Sequence, residues 1–211
     1  LKPYSPPELR KVTWRISPPQ YVGLPPIIHE GFATRKVPEN SIITLGVELG
    51  ELPPNVIAEV LHEDGSSIRL DNGIEGTRSL SRKLSDPWKG RIALSDADAP
   101  SREPVKSEEF SFLMIRDEPP VVEITEPAKD LELPAEANLL IEFFAADDYG
   151  VATADIIVSQ GGKRTTTNVF VDPIEKEKTL THVLSLADMS LAVGDVVAYH
   201  VVISDNKEPE A

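Results

Sequence analysis

The chain has 211 residues, of which 40% are hydrophobic and 27% charged, a composition that excludes wholesale disorder. A formal charge of -14 disfavours nucleic-acid binding, because most of the surface repels phosphate backbones. There is no cysteine, which removes disulfides, thiolate catalysis and cysteine-ligated zinc, and no apolar run approaches the roughly 20 residues of a membrane span. No membrane contact is therefore expected of this segment itself.

Nineteen prolines and few aromatics favour short strands joined by proline-rich turns over long helices. The acidity is uneven. Residues 1–118 carry 15 Lys or Arg against 18 Asp or Glu, whereas residues 119–211 carry 6 against 17. The second half sets the field and would attract cations and basic partners. The chain begins at Leu1 with neither a start methionine nor a signal-peptide pattern, and is expected to be a piece of something larger.

In chain order, the first expected strand is 12–17 (VTWRIS), which alternates and stops at Pro18-Pro19, with Trp14 and Ile16 facing a core. Prolines flank the following segment, Pro18 to Pro26, and predict an extended polyproline conformation. Tyr21 and Leu24 are its candidate partner contacts; the competing expectation packs both on the edge of their own sandwich. A second strand, 41–49, places Ile43, Leu45, Val47 and Leu49 on one face and Thr44 and Glu48 on the other. Strands at 91–96 and 110–115 complete a first unit. The join at 116–121 (RDEPPV) has two prolines and no glycine–serine spacer, so a nearly fixed relation between the halves is expected.

The second half repeats the plan. Residues 121–126 (VVEITE) form a first strand with Val122 and Ile124 inward, 139–146 a second, 153–158 a third and 200–205 a later one. Residues 185–191 (SLADMSL) suit a single helical turn between sheets. Two units of about 100 residues with short, alternating strands match two tandem immunoglobulin- or fibronectin-III-like antiparallel β-sandwiches, an all-β fold, at 1–118 and 119–211. After Asp205 the sequence reads as loop (DNKEPEA), so the counterpart of the 110–115 strand is expected either in the natural continuation of the chain or from another segment. A neighbouring segment would find an open strand edge there.

Chemistry is sparse. Asp147-Asp148-Tyr149-Gly150 follows the 139–146 strand, and Asp205-Asn206 ends a later one. In immunoglobulin order both loops emerge at one end, where Asp147, Asp148, Asp205 and Asn206 would converge as hard oxygen ligands for calcium. The competing reading has these side chains cap turns through backbone amides, with Gly150 supplying a positive φ. Nothing points to a pocket for acid–base catalysis, the four histidines lack ligand spacing, and no nucleophile, phosphate-loop or zincin motif occurs, so no enzyme and no further cofactor are expected. Trp14 and Trp88 suit either a sugar-stacking platform or core anchors.

Residues 17–26 (SPPQYVGLPP) resemble the PPxYxGLPP opening of uncharacterised, membrane-anchored envelope proteins of Gram-negative and related bacteria. The succession of DDYG at 147–150, GDVVAY at 194–199 and SDN at 204–206 is similar to a pattern in the same proteins, where an N-terminal anchor precedes tandem immunoglobulin-like domains. The resemblance implies an extracytoplasmic location, periplasmic or cell-surface, and no mechanism. Together these readings predict a structural spacer or protein-interaction segment that meets a protein partner through a strand edge or the acidic face of the second unit. The alternative is a calcium-stiffened, adhesin-like or glycan-binding module.

Overall fold

The computed structural model describes residues 4–50, 55–74, 76–169 and 174–207, and divides into two units, Leu1–Arg116 and Asp117–Ala211. The first contains β1 (Leu9–Ser17), β2 (Ile27–Glu30), β3 (Thr34–Pro38), β4 (Ile42–Leu49), β5 (Val56–Leu61), β6 (Ser67–Arg69), β7 (Asp71–Asn72), β8 (Thr77–Lys83), β9 (Trp88–Asp96) and β10 (Val105–Ile115). They form two five-stranded sheets, ordered β2-β1-β4-β8-β7 and β3-β10-β9-β5-β6. Every pairing is antiparallel except β3 with β10. This is an immunoglobulin-like sandwich.

Period-two alternation builds it. In β4, Ile43, Leu45, Val47 and Leu49 are buried, while Thr44 and Glu48 point the other way. The centre is aromatic: Trp14 lies 4.6 Å from Phe110 and 5.0 Å from Phe112 between ring centroids, with Trp88 edge-on at 6.0 Å. Trp14 also donates its indole N–H to the Gly31 carbonyl at 2.9 Å, so its polar edge is satisfied inside. Both tryptophans are only 1% exposed, which overturns the sugar-platform reading: they are core anchors.

The expected polyproline segment is also corrected. Residues Gln20–Val22 make a 3-10 turn closed by Gly23 at φ 70, a conformation that favours glycine. The turn drives Val22 into the core, leaves Tyr21 half-buried and leaves Leu24 56% exposed. Packing of Tyr21 on its own sandwich holds; packing of Leu24 does not.

The second unit contains β11 (Val121–Glu126), β12 (Asn138–Gln160), β13 (Lys163–Asn168), β14 (Glu175–Ser185) and β15 (Val197–Asp205), all antiparallel, with a 3-10 turn at Ala187–Met189 where a helical turn is expected. One strand serves both layers. The first part of β12 pairs with β11 and β14, and the last part with β13 and β15. The pairing with β14 shifts register between Ala146 and Val151, and that with β15 between Val151 and Thr153. The two strands expected at 139–146 and 153–158 are thus one, and 147–150 is a bend within it instead of a free loop. Ile141, Phe143 and Ala145 from one part face Val151, Ala154, Ile156 and Val158 from the other. In β11, Ile124 packs on this core, but Val122 is 37% exposed, against expectation.

The bend depends on Gly150, whose φ is 128 and whose position leaves no room for a β-carbon, which would collide with the Ile174 side chain. Both units also contain an equivalent inner strand with different cover. β9 is flanked by β5 and β10, and Ile92 is 0% exposed. β15 pairs with β12 alone among the described residues, and its inward residues Val197, Tyr199, Val201 and Ile203 are only partly buried. Residues 208–211, the end of the expected closing loop, lie outside the described residues.

Gly150→Ala is expected to cost about 2–3 kcal/mol from backbone strain and overpacking together, read from urea unfolding of the second unit; a loss within error of zero would show that the bend tolerates a side chain. Ile92→Ala should cost on the order of 2–5 kcal/mol, and Ile203→Ala distinctly less because its methyls are already partly in water. Equal losses in the same denaturation series would contradict the difference in cover.

Candidate functional site

Asp147 opens the β12 bend. Its Oδ2 accepts the backbone N–H of Tyr149 at 2.9 Å and of Gly150 at 2.6 Å, so the carboxylate caps the turn that carries it. The residue is only 8% exposed, and its other oxygen, Oδ1, is buried without a hydrogen-bond donor. Asp148 follows and is exposed. A third carboxylate, Asp117, comes from the segment leading into β11. One oxygen from each of Asp117, Asp147 and Asp148 lies within 4.8 Å of the others, the group of this kind found among the described residues.

The side chain of Asp117 is 2% exposed. Neither of its oxygens accepts a hydrogen bond of good geometry. Its nearest counter-charge is Lys207, with Nζ 3.5 Å from Oδ2. Burial pushes the Asp117 carboxyl above its ordinary value, the adjoining Asp148 carboxyl adds to the rise, and Lys207 draws it back. Three carboxylates thus share one corner with a single ammonium. Such a corner can hold a proton between two acids or collect a hard cation.

Of the sequence-predicted ligands, the structure brings Asp147 and Asp148 together and leaves Asp205 out. Asp205 Oδ1 accepts the backbone N–H of Lys207 at 3.0 Å, the turn-capping role. Asn206 donates its side-chain N–H to the Tyr149 carbonyl at 3.2 Å, tying the end of β15 to the bend. Sequence reasoning missed Asp117. The signal was available in the pairing: Val121 sits opposite Ala146, so the antiparallel register carries the residues before Val121 past those after Ala146.

The first unit handles the same corner without a cluster. Asp96, at the end of β9, accepts the backbone N–H of Asp98 at 2.9 Å, just as Asp205 does for Lys207. Asp98 in turn accepts both of its contacts from Asn55 Nδ2, at 3.1 and 2.9 Å. Its acid is satisfied by an amide.

A second feature is the outer edge of β15. The other strand edges are short or charged: β2, β3, β6 and β7 have two to five residues, β11 and β13 have six, and β14 opens with Glu175, Lys176, Glu177 and Lys178. β15 has nine residues (VAYHVVISD) and no Lys, Arg or Glu. The two best-formed depressions, of about 360 and 280 Å³, are open and lie in the first unit, around Trp88 and Lys89 and around Lys11 and Glu30. Neither includes the acidic corner. No described helix is long and apolar enough to cross a membrane.

Comparison with known proteins adds a family and weak structural likenesses. A structure of a bacterial ice-binding adhesin, described in connection with retention at the host cell surface, is similar at 11% identity with a TM-score of 0.46 over 96% of this chain. The chain spans 65% of that adhesin chain. A chimeric titin Z1Z2 tandem is similar at 10% identity with a TM-score of 0.30, over 79% of this chain and 92% of the other. No curated protein matches the sequence. The family model described as "Domain of unknown function (DUF4175)" matches residues 4–193, and the chain belongs to that family.

Proposed function

We propose that the chain is a non-catalytic structural and protein-interaction segment of a larger bacterial cell-envelope protein, and that it engages its partner by strand addition at β15. The observation that carries this reading is the edge itself. Unpaired backbone N–H and C=O groups along a long strand free of Lys, Arg and Glu are a template for another strand, and proteins that avoid such pairing shorten or charge their edges. The other edges follow that rule and β15 does not. Among the described residues no strand pairs with its outer edge and its inward residues are only partly buried, whereas β9 is covered by β10. A strand with alternating apolar residues, like the Phe110, Phe112 and Met114 face of β10, would complete the layer.

The acidity of residues 119–211 adds selectivity: 6 basic against 17 acidic residues favour an incoming strand with basic flanks. The envelope location rests on the PPxYxGLPP-like opening and the DDYG, GDVVAY and SDN succession.

The test is site-specific photocrosslinking in cells, with a photoreactive residue at Val202 of β15 or, as control, at Arg69 of the short edge β6. The expected outcome is a defined product from the β15 position, either a heavier species or a crosslink to another segment of the same polypeptide, and none from β6. No product at Val202, or equal products at both positions, would remove the strand-addition reading. Fractionation of the same cells should recover the parent protein with the envelope; recovery with the cytosol would remove the location.

A further inference from the structure

We propose that Asp117, Asp147 and Asp148 form a binding site for a divalent cation of calcium's class, a reading independent of the β15 edge. The acidic cluster alone would not carry this, since exposed carboxylates often gather without a ligand. The second observation is what the enclosed oxygens lack. Asp147 is 8% exposed and Asp117 2% exposed at the side chain, yet Asp147 Oδ1 and Asp117 Oδ1 accept no hydrogen bond, and Asp117 Oδ2 has only the Lys207 ammonium at 3.5 Å. A buried carboxylate oxygen without a donor is costly, and a cation is the partner that satisfies several such oxygens at once.

Charge and size agree. Three carboxylates against the Lys207 ammonium leave two negative charges for a divalent ion to balance. Calcium takes oxygen ligands at about 2.3–2.6 Å, so oxygens on opposite sides of it are roughly 5 Å apart. The three carboxylates offer oxygens within 4.8 Å of one another. Asp147 is pre-oriented for the role, because its Oδ2 is fixed by the Tyr149 and Gly150 amides while Oδ1 remains available. The ligand set differs from that expected from sequence: Asp117 enters, and Asp205, which does not fall within the group, leaves. The first unit lacks the arrangement, since Asp98 is already satisfied by Asn55. An ion would join the approach to β11 to the β12 bend, and the Asn206 contact to Tyr149 would carry that restraint to the end of β15.

The experiment is scanning calorimetry of the chelator-stripped chain, alone and with calcium chloride or magnesium chloride. With free calcium about tenfold above Kd, a one-site ligand of the native state should raise the midpoint of the second unit by about 5–10 °C. Magnesium should raise it less, because it demands tighter octahedral geometry. Asp117→Asn and Asp148→Asn should each abolish the calcium response while melting, in chelator, no lower than the parent, since each relieves like-charge crowding. Asp205→Asn should retain the response. The proposal is overturned by no calcium shift in the parent chain, by a shift that survives Asp117→Asn and Asp148→Asn together, by a magnesium response as large as calcium's, or by its loss in Asp205→Asn. If the Asn variants fail to fold, titration calorimetry of the parent chain decides: one calcium per chain supports the site, and no binding heat overturns it.

Discussion

The second unit depends on a single bend. A strand of 23 residues crosses from one layer to the other because Asp147 turns its carboxylate back onto the amides of Tyr149 and Gly150, and because Gly150 adopts a φ that a side chain would strain. Everything around the acidic corner follows from that geometry. The cap uses one oxygen of Asp147 and buries the other, and the register that pairs Val121 with Ala146 brings the segment before β11, with Asp117, alongside. The residues that make the fold possible are the same residues that crowd charge into it.

The two units spend the same topology differently. In the first, β9 is covered on both sides and four aromatic rings meet at its centre, a core that needs no ion and leaves only short edges. In the second, seven apolar residues form the buried core, with Phe143 the one ring among them, and the strands around it contribute half-buried side chains. More of its apolar side chains are only partly buried, so the second unit has more to gain from an added strand. The charge distribution points the same way, with most of the negative charge gathered in the unit with the less fully buried core.

Much of this architecture was legible in the sequence, because alternation with a period of two is a direct image of a strand with one face in a core. The faces of β1 and β4, including Trp14, Ile16, Ile43 and Leu45, follow from it. The turn at Ala187–Met189 falls where residues 185–191 suit a helical turn. Where alternation is silent, the reading went astray. Asp-Asp-Tyr-Gly consists of turn formers and reads as a loop, but pairing on both sides makes it part of one strand. The proline-flanked segment reads as extended, but Gly23 permits a tight turn that buries Val22. Both outcomes were settled by tertiary contacts that local sequence does not contain. The acidic site was half legible: Asp147 and Asp148 stand together in the sequence, whereas Asp117 joins them only through strand register.

Register also explains why β15 joins the two features of interest. Among the described residues the strand pairs on one flank only, and at its C-terminal end Asp205, Asn206 and Lys207 each hold the acidic corner differently: a backbone cap, a hydrogen bond to the bend, and a counter-charge to Asp117. Lys207 alone balances one of three carboxylates. An ion at the corner would take over that role and fix the end of the strand whose edge is open, lowering the entropy lost when another strand pairs with it. The corner and the edge are separate in chemistry, but the shared strand makes each a physical constraint on the other.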